Sequence, residues 1–323
     1  MGLKIIEEGL LTTIQDLGRT GYQAFGFSVG GVMDPWAMQL ANLIVNNDEK
    51  EAVLEMSFLG PSITFEANVV IALTGADMSP KINDQPIELY KPIPVKRGDT
   101  LQLRTAKTGL HSYLAVQGGM SIPAKLNSKS TAMNAQFGGF EGRKLQVGDK
   151  IEINTPASNQ RKAFSWRLDP HLFNYMNSSH EVIHFIEGRQ YHWFSEESKS
   201  KFEHESFRIT GRSDRMGYRL QGPTLELINQ KELLTEGTSY GTIQVPSSGE
   251  PIVLMADRQP TGGYPKIGQV IFADMPKLSQ RRPNQAFTFK KYTLEEATSK
   301  WFRIRRQIDT LKAITKYRWS KEN

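Results

Sequence analysis

The sequence predicts a mainly β protein with a few helices, arranged as two lobes. Short runs rich in β-branched and aromatic residues recur along the chain, and turn-forming residues separate them. Segments with helical spacing are few, so strands and helices do not alternate as a parallel sheet would require. Two sequence patterns each occur twice, which indicates a duplication. Strands at this spacing are typical of barrels or sandwiches.

The predicted strands are short, and clear turn signals separate them. These signals include Asn83 with Asp84, the triplet at residues 97–99 and the glycine pair at 118–119. The predicted strands cover residues 63–65, 69–74, 81–89, 100–104, 112–116, 150–154, 252–255 and 268–272.

Four helices are predicted. The first covers residues 34–46, with Asp34 as its N-cap and Pro35 at the first helical position. Two others are expected at residues 169–177 and around residues 191–200. The last follows a capping box formed by Thr293 and Glu296. Its apolar residues recur at three- and four-residue spacing, which predicts an amphipathic helix; they are Leu294, Ala297, Trp301, Ile304, Ile308 and Leu311.

Repeats and one polar segment predict how the chain divides. Residues 96–103, KRGDTLQL, resemble residues 146–153, QVGDKIEI, and a Gly-Arg pair followed by Gly-Tyr occurs at 18–22 and at 211–218. The weakly patterned segment 154–165 is typical of a boundary. We therefore predict an N-terminal β-rich lobe over residues 1–155. A C-terminal β-rich lobe over residues 156–323 then ends in the basic amphipathic helix.

Composition excludes several classes of protein. The 323 residues are enough for two domains with their own cores. Cysteine is absent, which excludes disulfides, thiolate nucleophiles and cysteine-ligated metals. The N-terminus has acidic residues where a signal peptide needs a basic head, and no run of 18 apolar residues occurs. We therefore expect a cytoplasmic protein that does not bind a membrane.

The net charge of +6 belongs to the end of the chain. Residues 281–323 contain 12 Lys or Arg and 4 Asp or Glu, so they carry +8 and the remainder carries −2. The terminal helix either docks a partner, binds an anionic surface, or packs on its own lobe with a solvated basic face. The pattern favours the last interpretation. No recognised DNA or RNA module accompanies the helix, so nucleic-acid binding is not expected.

Residues 249–283 are the most informative segment. The strands predicted at 252–255 and 268–272 leave between them a loop with carboxylate, amide, hydroxyl and phenol groups. Its paired glycines permit positive φ and let a ligand approach bare backbone. The alternative is a long glycine turn with solvated polar residues. We expect Asp257 and Tyr264 to be catalytic and Gln259, Thr261, Gly262 and Gly263 to bind substrate.

A second polar segment, GRSDRMGYRLQG, covers residues 211–222. Arg212, Arg215 and Tyr218 form a cationic and phenolic cluster suited to carboxylate or phosphate oxygens, and we expect them to bind substrate. The alternative is a set of surface salt bridges. Each polar segment alone has too few complementary groups to hold a substrate. We therefore predict that this segment and residues 257–264 converge on one pocket.

Four other polar residues are expected to bind substrate. Asp16 and Arg19 follow a predicted strand, and their alternative is a structural turn in which they pair with each other. Asp77 and Gln117 lie at strand ends beside glycine, where turn capping is the alternative. Asp34 is better explained as the helix cap than as a catalytic acid.

Metal and nucleotide motifs are missing from the sequence. His180 and His184 are four residues apart, but HEVIHFIEG alternates like a strand, which separates them by about 13 Å. We therefore predict no metal site. No GxSxG elbow, Walker-type loop or biotin-attachment motif occurs, so ATP handling by this chain alone is not predicted.

Four ordered segments resemble one known family. They are residues 9–34 (GLLTTIQDLGRTGYQAFGFSVGGVMD), 74–77 (TGAD), 211–222 and 249–283. In this order they resemble the KipA, or allophanate hydrolase subunit 2, family, whose bacterial members form the C subunit of the ATP-dependent 5-oxoprolinase. The carboxyltransferase region of urea carboxylases is also similar to this family. The resemblance implies β-barrel domains of the cyclophilin-like type.

The resemblance implies one subunit of a hydrolase. Its reaction opens the lactam of 5-oxoproline to L-glutamate at the expense of ATP, together with a small KipI-like protein, similar to allophanate hydrolase subunit 1, and a third 5-oxoprolinase subunit. ATP is then a cofactor of the complex, not necessarily bound by this chain, and Mg²⁺ is a candidate ion. Asp257 would act as a base or as a metal-bound carboxylate.

Two alternatives to this function stay open. The first is a carboxyltransferase-like component of a biotin-dependent urea or amide carboxylase, or of an allophanate hydrolase system. The second is a non-enzymatic regulator that binds a kinase inhibitor.

Overall fold

The computed structural model describes residues 2–154, 164–169, 175–176, 181–229 and 233–322. The chain divides into two compact units. The first contains Met1–Arg19, Gly30–Asn177 and Gln307–Asn323, and the second contains Thr20–Val29 and Ser178–Arg306. The predicted boundary lies at residue 155. The observed division differs from it, because a short N-terminal segment belongs to the second unit and the end of the terminal helix belongs to the first.

The described residues of the first unit form two antiparallel sheets. The six-stranded sheet has the order β11-β1-β4-β9-β6-β7, with β1 at Gly2–Glu7, β4 at Ser62–Phe65, β6 at Lys81–Ile82, β7 at Gln85–Pro86, β9 at Thr100–Gln102 and β11 at Lys150–Glu152. The five-stranded sheet has the order β2-β3-β10-β5-β8, with β2 at Leu11–Gln15, β3 at Val53–Ser57, β5 at Val69–Asp77, β8 at Ile93–Val95 and β10 at Thr108–Val116.

One apolar core takes side chains from both of these sheets. Leu3 and Phe65 come from the six-stranded sheet, and Leu54 and Leu114 come from the five-stranded sheet; all four are at most 1% exposed. Burial at alternate positions follows from the two-residue period of a strand. The predicted strand at 81–89 is instead the hairpin β6–β7, because its Asn83 and Asp84 adopt positive φ and turn the chain.

Helix α1 (Pro35–Ile44) packs on β5 and β10. Asp34 caps it as predicted, since its Oδ1 accepts a hydrogen bond of 3.0 Å from the Ala37 amide. All ten residues of the helix are buried. The Trp319 indole donates to the carbonyl of Ile44 at 2.9 Å, which satisfies one of the last carbonyls of the helix.

The second unit is built on a closed barrel of seven strands. Their order is β12-β19-β16-β17-β14-β13-β20, and the pair β12–β20 is the parallel one. The barrel strands are β12 (Glu181–Glu187), β13 (Ser206–Ile209), β14 (Gly217–Gln221), β16 (Thr242–Gln244), β17 (Ile252–Leu254), β19 (Lys266–Val270) and β20 (Ala286–Lys291). A separate ribbon pairs β15 (Glu236–Gly237) with β18 (Thr261–Gly262).

An aromatic cluster fills one part of the second unit. The ring centroids of Phe202 and Phe289 are 4.5 Å apart, and those of Phe207 and Phe289 are 5.5 Å apart. Phe185 and Phe287 complete the cluster, and each of the five rings is at most 1% exposed. Offset and edge-to-face contacts of this kind add to the free energy gained by apolar burial.

The described residues of the second unit form two short α-helices and the start of a long one. They are α2 (Glu196–His204), α3 (Met275–Ser279) and α4 (Leu294–Glu322), of which α4 continues into the first unit. The helix predicted around 191–200 was wrong in extent. A 3₁₀ turn at Tyr191–Trp193 comes first, and α2 begins only after Ser195, whose extended backbone and side chain form its N-cap.

The capping box of α4 is confirmed. Thr293 N donates to Glu296 Oε2 at 2.8 Å, and Glu296 N donates to Thr293 Oγ1 at 3.2 Å. Ile308 and Leu311 are buried, as their spacing predicts, but Leu294 is 64% exposed and does not belong to the buried face.

The prediction of a mainly β fold with few helices is confirmed. Most of the helix predicted at 169–177 lies outside the described residues. None of the described helices combines the length and the apolar character needed to cross a lipid bilayer.

Candidate functional site

The second unit carries a cleft of about 500 Å³, which lies along β14, β16 and β17. This volume is in the range of small-molecule sites. Both polar segments singled out in the sequence contribute to its lining, as predicted. The polar side chains of the lining include Arg212, Arg219, Gln244, Glu250, Gln259 and Tyr264.

A compact turn positions the two arginines of the cleft. Asp214 Oδ1 accepts hydrogen bonds from the amides of Met216 at 2.8 Å and Gly217 at 3.1 Å. This turn places Arg212 before it and Arg219 on β14 after it. Both arginines are exposed, and neither guanidinium pairs with a carboxylate among the described residues. They are therefore available to an anionic ligand.

Arg215 and Asp257 join the two polar segments. Arg215 Nε donates to Asp257 Oδ2 at 2.8 Å, and a second guanidinium nitrogen donates to Oδ1 at 3.0 Å. Their side chains are 6% and 13% exposed, and neither residue lines the cleft. Both oxygens of Asp257 are thus engaged by one guanidinium. The predicted catalytic role of Asp257 does not fit this geometry, and a structural role for the pair does.

Tyr218 faces away from the cleft. It lies on β14, is 3% exposed, and its hydroxyl donates to the carbonyl of Ser279 at 3.0 Å. Alternation along the strand explains this, since Gly217 and Arg219 line the cleft and the side chain between them points to the other side. The predicted contact of Tyr218 with substrate therefore does not fit the structure.

The loop after β17 reaches the cleft through Gln259 and Tyr264. Thr238 fixes the loop with two hydrogen bonds. Its hydroxyl donates to the carbonyl of Gln259, and its backbone amide donates to the carbonyl of Pro260 at 2.9 Å. Tyr264 is 49% exposed. Neither Gln259 nor Tyr264 donates a side-chain hydrogen bond to a described residue, so both can bind a ligand.

The rest of the loop differs from the prediction. Thr261 and Gly262 form the short strand β18 beside β15, and neither they nor Gly263 line the cleft. Neither glycine adopts positive φ. A Cβ at position 262 would lie 2.6 Å from Gln244 Nε2, so a larger residue there would displace this side chain.

Three polar side chains beside the cleft had not been predicted as site residues. Gln244 is 1% exposed and lines the cleft. Its register partner Lys266, on β19, is 6% exposed and forms a 2.8 Å ion pair with Glu236 Oε2. The hydrogen bond from Lys266 holds the pKa of Glu236 below its usual range. A lysine between the apolar neighbours Pro265 and Ile267 was the sequence signal that could have revealed this group.

Asp16 and Arg19 both bind residues 128–130 of the first unit. The Asp16 carboxylate accepts hydrogen bonds from the hydroxyls of Ser128 and Ser130 and from the amide of Lys129. Arg19 is 1% exposed and donates to the carbonyl of Ser130. These contacts indicate a structural role.

Asp77 and Gln117 also lie in the first unit, outside the lining of the cleft. Asp77 Oδ1 accepts from the amide of Ser79 at 2.7 Å, which is the turn-capping alternative. Gln117 follows β10, and its backbone amide donates to the carbonyl of Val70 at 2.9 Å. Asp34 accepts from the Tyr175 hydroxyl at 2.6 Å in addition to capping α1.

Three helix N-termini of the described residues are capped by side chains. Phosphates bind well at free helix N-termini, but Asp34, Ser195 and Thr293 occupy the starts of α1, α2 and α4 with their own side chains. In the described part of the chain, no three acidic or histidine side chains are grouped as metal ligands. His180 lies outside the described residues, and His184 binds Asp274 on the barrel.

Comparisons with known proteins identify relatives over almost the whole chain. The family model of the carboxyltransferase domain, subdomain A and B, matches residues 25–291. The chain is 37% identical over 295 residues to the 5-oxoprolinase C subunit of Haemophilus influenzae, covering 91% of this chain and 93% of that protein. It is 38% identical, with the same coverage of both chains, to the 5-oxoprolinase C subunit of Escherichia coli.

A solved structure supports the same fold. The urea carboxylase of Kluyveromyces lactis superimposes with a TM-score of 0.88 at 27% sequence identity. The match covers 96% of this chain but only 29% of the urea carboxylase, so this chain corresponds to one part of that larger protein.

Proposed function

The chain belongs to the family of the carboxyltransferase domain, subdomain A and B, and we propose that it is the C subunit of an ATP-dependent 5-oxoprolinase. The observation that carries this proposal is the similarity to two 5-oxoprolinase C subunits along 93% of their length. In this role the chain takes part in the hydrolysis of 5-oxoproline to L-glutamate. The other subunits of the complex supply the ATP-dependent step.

The polar cleft of the barrel is the proposed site of the substrate. 5-Oxoproline carries one carboxylate and one lactam amide on a small ring. The guanidinium groups of Arg212 and Arg219 offer paired donors to the carboxylate. Gln259 and Tyr264 offer hydrogen-bonding groups to the rest of the ring.

The chemistry requires more than this cleft supplies. An amide is stabilised by resonance, so its carbonyl must be activated before water attacks it. ATP would provide this activation by phosphorylating the lactam oxygen, and a partner subunit would bind the nucleotide. The cleft would therefore bind and orient the substrate, and Arg212 and Arg219 would also stabilise negative charge that develops during activation.

The incomplete chemistry also supports the need for partners. We propose a small KipI-like subunit and a third subunit, since the relatives are named as single subunits of their enzyme. Asp257 is held by Arg215 and is not the base of this mechanism. A partner subunit would supply the base and the nucleotide site.

Reconstitution tests the proposal. This chain and its two partner subunits should release L-glutamate from 5-oxoproline only when ATP is present. A mixture that lacks this chain should show no release above background. Equal glutamate release with and without this chain would contradict the proposal, and so would an active complete mixture that does not need ATP.

The urea carboxylase similarity favours a second candidate, transfer of a carboxyl group to a urea-type amide. This reaction needs a carboxylated biotin carrier from another protein. Consumption of ATP that depends on urea and biotin, and not on 5-oxoproline, would support this candidate over the first.

A further inference from the structure

Gln244 is a buried side chain of the cleft with an unsatisfied donor group. It is 1% exposed, and its Nε2 makes no hydrogen bond to any described residue. A buried amide nitrogen without a partner costs free energy, and native proteins rarely leave one without a reason. Because Gln244 lines the cleft, a ligand there can supply the missing acceptor.

The neighbouring groups are already paired. Lys266 Nζ donates a hydrogen bond to Glu236 Oε2 at 2.8 Å. The backbone amide of Lys266 donates to Gln190 Oε1 at 3.2 Å. The lysine and Gln190 therefore have protein partners in this region. Of these three described side chains, Gln244 has a buried donor nitrogen without a hydrogen-bond partner.

The backbone of β18 leaves room for this carboxamide. Gly262 has ordinary backbone geometry, yet a Cβ at this position would lie 2.6 Å from Gln244 Nε2. Such a contact is too close for real atoms, so an alanine here would displace the carboxamide. Glycine at position 262 therefore leaves the carboxamide of Gln244 in its place, whereas a larger residue there would shift it.

We propose that Gln244 binds the amide edge of the lactam and makes the site selective for a cyclic amide. In a five-membered lactam the N–H and C=O groups lie on the same side of the amide bond. A glutamine side chain presents its own N–H and C=O in the same way. Gln244 Nε2 then donates to the lactam oxygen while its Oε1 accepts from the lactam N–H.

This inference rests on the proposed function and assigns the source of its selectivity. The arginines recognise a carboxylate, which many metabolites carry. A carboxamide that pairs with both groups of the lactam distinguishes 5-oxoproline from ring acids that lack one of them. Sites that hydrogen-bond a substrate group discriminate strongly against analogues without it, because the buried partner is then left unpaired.

Two analogues test the inference in the reconstituted complex. Proline lacks the ring carbonyl, and 5-oxotetrahydrofuran-2-carboxylate has a ring oxygen in place of the N–H. Both are measured as competitive inhibitors of ATP-dependent glutamate release. With the wild-type chain, the KM for 5-oxoproline should be lower than either Ki by about tenfold or more, the scale of one hydrogen bond.

The variant Gln244→Met removes both hydrogen bonds at similar volume. It should raise the KM for 5-oxoproline by about tenfold or more and raise each Ki by a smaller factor, because each analogue keeps only one of the two groups that Gln244 binds. Gly262→Ala keeps the glutamine but displaces it, so it should reduce the same selectivity. The second variant decides the result if Gln244→Met does not assemble into a complex.

The outcomes separate this inference from the proposed function. If the wild-type complex releases glutamate but the variants keep the wild-type ratio of KM to Ki, Gln244 does not bind the lactam. If all three constants rise by the same factor, the role of Gln244 is structural and the inference is overturned. A wild-type complex that releases no glutamate overturns the proposed function, and this inference with it.

Discussion

Arg215 and Asp257 are held together by two hydrogen bonds of 2.8 and 3.0 Å. They come from segments that are 42 residues apart in sequence. The amide of Asp257 also donates to the carbonyl of Arg215 at 2.8 Å, so backbone and side chains bind in the same place. This pair fixes the turn that positions Arg212 relative to the loop that carries Gln259. The site is therefore organised by an ion pair that does not line it.

Breaking this pair should destabilise the protein. Arg215→Ala or Asp257→Ala leaves one charge buried without its partner, which costs about 3–5 kcal/mol. The double variant Arg215→Ala/Asp257→Ala removes both charges and should cost less than the sum of the two single changes. Urea denaturation followed by circular dichroism measures these free energies of unfolding. Single variants that unfold at the wild-type midpoint would show that the pair has no structural role.

Two tyrosine variants compare a buried side chain that does not line the cleft, Tyr218, with one that lines it, Tyr264. Tyr218→Phe loses a buried hydrogen bond to Ser279 and should reduce the free energy of unfolding by about 1 kcal/mol. It should leave kcat/KM of the reconstituted complex unchanged.

Tyr264→Phe should do the opposite. Its side chain is 49% exposed and lines the cleft, so the melting temperature should stay at the wild-type value. The kcat/KM should fall by about tenfold, the scale of one lost hydrogen bond to substrate. If Tyr218→Phe impairs turnover and Tyr264→Phe does not, the assignment of the two faces of the barrel is reversed.

Local patterns predicted much of the fold. The cap at Asp34 and the capping box at Thr293 depend on residues close in sequence, and both are confirmed. The exposure of Leu294 could not be predicted in this way, because helical spacing marks a stripe without showing where along the helix a packing surface begins.

The candidate site was predicted only in part. The convergence of the two polar segments is confirmed by the Arg215–Asp257 pair and by the shared cleft. The inward direction of Tyr218 depends on strand register, which is set by pairing with distant residues. Gln244 was missed because a polar residue between two apolar ones is also typical of a strand with one solvated face.

The Glu236–Lys266 pair predicts a dependence of stability on pH. The pKa of Glu236 is lowered in the folded protein by the hydrogen bond from Lys266. Its contribution to stability is then fully present above the unfolded pKa of about 4.3, and it is lost as the pH falls through the lower, folded value. Glu236→Gln should remove this contribution.

Unfolding midpoints between pH 7 and pH 3 measure this effect. Over this range the free energy of unfolding should fall by up to about 1 kcal/mol more in wild type than in Glu236→Gln. The difference is small because the carboxylate is partly exposed and solvent screens the pair. Glu187→Gln is the control, because the ion pair of Glu187 with Lys291 is more exposed on both sides. Parallel pH profiles for wild type and Glu236→Gln would contradict the account.

The most direct measurement compares two arginines of the second unit in the reconstituted complex. Arg212 lines the cleft, whereas Arg208 is exposed on β13 outside it. Arg212→Ala should lower kcat/KM for ATP-dependent glutamate release from 5-oxoproline by about 10- to 100-fold, as for the loss of a charge-assisted hydrogen bond to the substrate carboxylate. Arg208→Ala should retain the wild-type rate. Equal rates for the two variants would contradict the proposal that this cleft binds the substrate.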